Sequence, residues 1–162
     1  MGRDIHVRIV QFNRKTKQYE EIILYHKNEK NEIVPVYAYD LRFYELFDIL
    51  GGTQDEYFPY TYIYMENLPD NLKQEIEECK KTSGYYDFYE TNLADMKLYL
   101  YNHPKVRDYD WEDEETFDEK GWKDNPIKSF IEKIETYINV ADMWWLGSSL
   151  DSDIRVLYWF DC

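Results

Sequence analysis

Apolar and polar residues alternate near both ends of the chain, which is the pattern of β-strands that pack on a core. Ile5, Val7 and Ile9 alternate with His6 and Arg8, and a polar turn then leads to the strand-like stretch YEEIILYHK. We expect these two segments to form an antiparallel hairpin. The stretch IVPVYAY predicts a third strand at a sheet edge, since its proline lacks a backbone donor. Residues 154–160 predict a closing strand with both faces covered.

Helical spacing of apolar residues predicts about four helices. They are expected after Asp40, over residues 70–83, between Thr91 and Pro104, and from residue 125 to about residue 146. Asp40 would cap the first helix, and Gly51-Gly52 would end it. Residues 53–69 predict an ordered loop with some extended pairing. The chain therefore predicts a single α+β domain over residues 1–162, in which helices pack on a small, mainly antiparallel sheet made from the N-terminal hairpin and the C-terminal strand.

The net charge of the chain limits the kinds of partner that it can bind. The 162 residues include 33 acidic and 19 basic side chains, a formal net charge of −14. Direct binding to nucleic acid is disfavoured, because phosphate recognition needs clusters of Lys and Arg. A basic protein partner would be attracted, and carboxylates could imitate phosphates in its nucleic-acid groove. The alternative is that the acidity serves solubility. The 17 tyrosines leave two interpretations as well, since they either fill the core or form a recognition surface.

One segment holds a large share of this charge. The sequence DYDWEDEETFDE, from Asp108 to Glu119, carries eight carboxylates in twelve residues. One interpretation is a solvated loop that like-charge repulsion keeps open. The other is a recognition element, in which aromatic anchors are embedded in acid that steers them toward a basic groove. The candidate binding residues are Asp108, Asp110, Trp111, Glu112, Asp113, Glu114, Glu115, Asp118 and Glu119.

Familiar catalytic motifs are missing from the sequence. It has no glycine-rich phosphate loop and no G-x-S-x-G elbow. Cys79 and Cys162 lack the spacing of a zinc site. One bridge between them is formally possible, but reduced thiols are the simpler interpretation, because small oxidised domains usually carry more pairs. The chain has neither a secretory leader pattern nor a long apolar segment, which favours the cytoplasm. We therefore expect a protein without a cofactor and without enzymatic activity.

A metal site is the alternative to this non-enzymatic interpretation. Asp4 and His6 lie two residues apart on the first strand, and Asp161 follows the last strand. If these strands are neighbours, the three side chains could hold a divalent ion and lower the pKa of a bound water. Otherwise, Asp4 and His6 form a hydrogen-bonded pair that fixes the N-terminus.

Four short motifs occur along the chain: MG-x-DIH at the start, LRFYELFDILGG, NLPDNL, and IRVLYWFD at the end. Together they resemble a family of small proteins found mainly in bacteriophages and prophages. The resemblance implies a viral protein that acts in a bacterial cytoplasm, and it implies no activity. The chain departs from the family at Arg3, where many members have Cys. It also has YDFYETNL where many have a histidine-bearing HS-x-SWL segment, which weakens the metal interpretation.

Three functions follow from these observations. The first is an inhibitor of a host protein, such as a nuclease or a restriction or CRISPR-type defence complex. The second is a sponge that holds a small nucleotide signal through arginines among tyrosines. Arg3 could join that pocket, whose main candidates are Asp4, His6, Arg8, Arg42 and Arg155. The third is a metal-dependent hydrolase that uses Asp4, His6 and Asp161.

Overall fold

The computed structural model describes residues 4–40, 43–52, 57–83, 88–107, 121–141 and 150–160. Its centre is a five-stranded antiparallel sheet. In spatial order, the strands are β2 (Gln18–Ile22), β1 (Ile5–Asn13), β9 (Ile154–Phe160), β6 (Phe88–Asn92) and β5 (Thr61–Tyr62). Four helices accompany the sheet: α1 (Tyr44–Leu50), α2 (Asp70–Ser83), α3 (Leu93–Asn102) and α4 (Ile127–Val140). The predicted α+β class is confirmed.

The last strand, β9, lies in the middle of the sheet between β1 and β6. Its pairing with β1 runs from Ile5 opposite Phe160 to Gln11 opposite Ile154. All seven residues of β9 are buried, as the apolar residues on both of its faces predicted. The N-terminal and C-terminal strands are therefore neighbours, which is the arrangement that a site built from both ends requires.

The two faces of the sheet are covered by different helices. One face carries Val7, Ile9, Val156 and Tyr158, which pack in one core with the apolar sides of α1, α3 and α4. The opposite face carries Val10, Leu157 and Trp159, which pack with Leu72 and Ile76 of α2. Because successive residues of a strand point to opposite sides, β1 and β9 contribute to both cores. None of the described helices is long and apolar enough to cross a membrane.

The second strand differs from the prediction. The stretch predicted as one strand divides into β2 and β3 (Leu24–Lys27), and β3 leaves the sheet to pair with β4 (Ile33–Val36). Tyr137 of α4 fastens this small hairpin: the Leu24 N–H donates to its hydroxyl oxygen at 2.8 Å, and that hydroxyl donates to the Val36 carbonyl at 2.6 Å. Both strands of a two-stranded sheet are edge strands, so the proline of β4 has the predicted edge position, in a small separate sheet.

Other boundaries also need correction. Helix α1 begins at Tyr44 with Phe43 as its N-cap, so Asp40 is not the cap. Helix α4 ends at Val140, earlier than the predicted end near residue 146. Strand β6 and the hairpin of β7 (Lys105–Arg107) with β8 (Trp122–Asp124) were not predicted.

The oxidation state of Cys79 is a further correction. Cys79 is disulfide-bonded in the structure, and the described residues include no free cysteine. The sequence had favoured reduced thiols because two cysteines do not make a disulfide scaffold. Cys79 lies on the buried side of α2, in the core that also holds Trp159.

Candidate functional site

His6, Arg8 and Arg155 share the face of the sheet that α2 covers. His6 lies opposite Trp159, Arg8 opposite Leu157, and Val10 opposite Arg155, so the alternation of both strands brings the three to one side. Asp4 precedes β1 and is exposed. Arg3, Arg42 and Asp161 lie outside the described residues. His6, Arg8 and Arg155 therefore share a face, but its two arginines belong to separate ion-pair networks.

The first network ties α2 to the edge of the sheet. Nε of Arg8 donates to Oε1 of Glu21 on β2, and Nη1 donates to Oε2 of Glu75 on α2, both at 2.5 Å. The guanidinium also lies 4.9 Å from the ring centroid of Tyr37. Burial by itself would lower the pKa of Arg8, but the hydrogen bonds and charges of the two glutamates outweigh it and raise that pKa. Arg8 is therefore a permanent cation whose contacts are structural.

The second network surrounds Arg155. Its Nε donates to Oε1 of Glu90 at 3.2 Å, and its Nη2 donates to the other oxygen of the same carboxylate. Nη2 also donates to the carbonyl of Tyr64 at 2.7 Å, while the backbone N–H of Tyr64 donates to Glu90 at 3.0 Å. The guanidinium lies 4.7 Å from the ring centroid of Tyr19. Arg155 thus fastens β9 and β6 to the segment that follows β5.

His6 takes a packing role on this face. Its ring stacks on Trp159 with the centroids 5.7 Å apart and an angle of 14° between the planes. Across the described ranges, no group of three or more His, Cys, Asp or Glu side chains is arranged to hold a metal ion. Asp161 lies outside those ranges, so the three-residue metal site predicted from the sequence stays a prediction.

The structure also forms a cleft that the sequence did not predict. It opens beside Arg155 with a volume of about 440 Å³, and we refer to it as the edge cleft. Its residues come from five separate segments: Tyr19, residues 59–61, Tyr64 with Glu66 and Asn67, residues 90–92 with Asp95, and Ser152 with Arg155. The one sequence signal for it was the alternation of Tyr60, Tyr62 and Tyr64, two of which line the cleft.

Close packing holds Tyr60 in place at the edge cleft. Its ring meets the ring of Tyr89 edge-on, with centroids 5.1 Å apart. On another side it lies against Gly52, where a Cβ atom would come within 2.5 Å of the tyrosine hydroxyl. Gly52 also has a φ of 73°, a conformation that other residues adopt at a cost. A glycine is therefore required next to this ring on two grounds.

The acidic segment Asp108–Glu119 lies outside the described residues, but both of its flanks are described. It connects β7 to β8, which pair antiparallel with Arg107 opposite Trp122 and Lys105 opposite Asp124. Nζ of Lys105 donates to Oδ1 of Asp124 at 2.5 Å, and this contact is the main cause that lowers the pKa of Asp124. The described flanks of the acidic stretch therefore lie next to each other.

The chain was compared with known families, proteins and structures. No family model matches the chain, and no curated protein or solved structure is significantly similar to it. The resemblance to bacteriophage proteins stays a prediction. What the fold and the cleft define is an α+β protein with arginine–glutamate pairs and an acidic, tyrosine-lined cleft that takes residues from β2, β5, β6 and β9.

Proposed function

We propose that this protein acts by binding, without catalysis, to a basic groove of a bacterial host protein and inhibits that protein. The observation that carries the proposal is the placement of the most acidic stretch of the chain between the paired strands β7 and β8. Because the two flanks are paired, the stretch begins and ends at neighbouring points of the fold. The carboxylates would there occupy positions that nucleic-acid phosphates take in the groove of the partner.

The nucleotide-sponge alternative receives less support from the arginines. Arg8 and Arg155 each already contact carboxylates on neighbouring elements. A phosphate at either guanidinium would compete with these carboxylates for the same positive charge, and weakening the pairs would leave a largely buried carboxylate with less counter-charge. The same arginines are better explained as ties between the strands and the elements around them. The hydrolase alternative depends on Asp161 and gains no support from the described residues.

Affinity capture from a bacterial lysate at stepped salt concentrations tests the proposal, with mass spectrometry of the retained proteins. A segment variant carries Glu112→Gln, Asp113→Asn, Glu114→Gln and Glu115→Gln. A matched control removes the same charge from exposed sites elsewhere, with Glu29→Gln, Asp70→Asn, Glu77→Gln and Glu78→Gln. The captured protein is then purified and its affinity for all three chains is measured.

We expect the segment variant to bind more weakly than the control. Exposed ion pairs contribute about 0.5 kcal/mol each, so four lost pairs predict a roughly thirtyfold weaker affinity. The activity of the captured protein should also fall when the wild-type chain is added. An equal loss in both variants would mean that overall charge alone attracts the partner, and unchanged binding in the segment variant would refute the proposal.

A further inference from the structure

We propose that the edge cleft is a binding site for a cationic side chain, arginine foremost, that the basic partner presents. The identity of the partner rests on the proposed function, whereas the chemistry of the cleft is read from its own residues. The cleft is open at the surface, and its volume of about 440 Å³ falls within the range of small-ligand sites. A single long side chain from another protein can therefore enter it.

The charge balance of the cleft favours a cation. Three carboxylates line it, those of Glu66, Glu90 and Asp95, against the single guanidinium of Arg155. Arg155 is paired with Glu90, so the charges of Glu66 and Asp95 remain in excess. Both of these residues are exposed, so their carboxylates can meet a ligand without the cost of removing a buried partner.

Two groups that would attract an anion are already satisfied. The guanidinium of Arg155 is occupied by Glu90 and by the carbonyl of Tyr64. The N-terminus of α3 is capped by Asn92, whose Oδ1 accepts from the backbone N–H of Ala94 at 2.8 Å and from that of Asp95 at 3.4 Å. Asp95 itself adds a negative charge in the first turn of that helix. A phosphate would therefore find its usual donors engaged and a carboxylate beside them.

The hydrogen-bonding groups of the cleft also favour a cationic ligand. The hydroxyl of Tyr64 donates to Glu66, a contact that raises the pKa of Tyr64. Because that proton is engaged, the tyrosine oxygen faces other groups as an acceptor, as does the carboxylate. A ligand that supplies several N–H donors fits this lining, and a guanidinium has five.

Aromatic rings complete the site for a planar cation. Tyr60 and Tyr64 line the cleft with exposed fractions of 37% and 59%. A guanidinium stacks favourably on the face of a tyrosine ring. The protein already contains this arrangement, since Arg155 lies over Tyr19 on one wall of the same cleft. An incoming arginine would repeat that contact on the exposed rings.

A binding experiment with small probes tests the inference without the partner. The probes are N-acetyl-arginine methylamide, the citrulline analogue of the same shape without charge, and AMP as an anion. Binding is followed by chemical-shift changes in the full-length chain. We expect the arginine probe to shift resonances of Tyr60, Tyr64 and Asp95, and to bind at least about tenfold more tightly than the citrulline probe. Equal affinity for the two, or tighter binding of AMP, would overturn the inference.

Paired variants assign the binding to the cleft. The variant Glu66→Gln/Asp95→Asn should weaken the arginine probe at least about fivefold, while Glu77→Gln/Glu78→Gln on the exposed side of α2 should leave it unchanged. Equal effects of the two variants would also overturn the inference. If the probe binds the cleft but no basic protein is captured from the lysate, the inference stands and the proposed function fails. If a partner is captured but binds the cleft variant as tightly as the wild type, the proposed function stands and the inference about the cleft fails.

Discussion

Removing the guanidinium of Arg155 is expected to destabilise the whole fold, because the Arg155–Glu90 pair is buried. The two side chains are only 9% and 15% exposed. Substitution by Met leaves the carboxylate of Glu90 with the N–H of Tyr64 as its remaining described donor. Breaking a buried pair from one side costs about 3–5 kcal/mol. For a chain of this size each kcal/mol lowers Tm by about 2–4 °C, so Arg155→Met should lower Tm by roughly 6–20 °C.

The assay is urea unfolding of Arg155→Met, Glu90→Gln and the double variant, followed by tryptophan fluorescence, to which the buried Trp159 contributes. Removing both charges leaves no orphaned ion, so the double variant should cost at least about 2 kcal/mol less than the sum of the single changes. Lys105→Met is the matched control. Its pair with Asp124 has side chains 57% and 63% exposed, and exposed pairs contribute only about 0.2–1 kcal/mol. A cost below about 1 kcal/mol for Arg155→Met, with additive double-variant energies, would refute this account.

Three further changes probe other parts of the fold. Burial raises the pKa of Tyr158 well above the usual 10.0, so the stability that the neutral phenol contributes is fully present below pH 10 and is lost as the pH rises above it. Tyr158→Phe removes a hydrogen bond to the Leu50 carbonyl and should cost about 1 kcal/mol at pH 7. In urea titrations the variant should also lose less stability at alkaline pH than the wild type does. Asn92→Ala should cost about 1 kcal/mol by removing the cap of α3, measured by the same unfolding, and no loss would contradict the capping role. Cys79 should not react with a thiol reagent in the unfolded, unreduced protein and should react after reduction; labelling before reduction would contradict the disulfide.

The sequence predicted the elements whose apolar residues repeat regularly. It missed β6, where polar residues take part of the inward face, and the three-residue strands β7 and β8, which are too short to show a period. Strand β9 and helix α2 were predicted because their periodicity is plain. Strand β6 was missed because Glu90 and Asn92 occupy its α2-facing side, where a strand normally shows apolar residues. Each has a structural reason to be there, since Glu90 pairs with Arg155 and Asn92 caps α3. Buried polar pairing thus hides a strand from a pattern based on hydrophobicity.

The edge cleft could not be predicted for a different reason. Its walls come from four distant parts of the chain, near residues 19, 59–67, 90–95 and 152–155, and the pairing of β6 with β9 brings Glu90 and Asn92 next to Arg155. Local spacing carries no information about such pairings. By contrast, the shared face of His6, Arg8 and Arg155 could be predicted, because it needs only strand alternation and neighbouring termini.

Two reasons for the net charge of −14, partner recognition and solubility, can be distinguished by where the acidic residues lie. A coat that serves solubility acts through net charge and does not depend on where the carboxylates lie. Screening at physiological salt confines electrostatic interaction to about 8 Å, so only neighbouring charges act together on a partner. The four acids from Glu112 to Glu115 are at most about 11 Å apart along the chain, whereas Glu29 and Glu77 lie on separate elements of the fold. If the segment is a recognition element, its neutralisation should reduce the salt dependence of partner binding more than the same change in charge elsewhere.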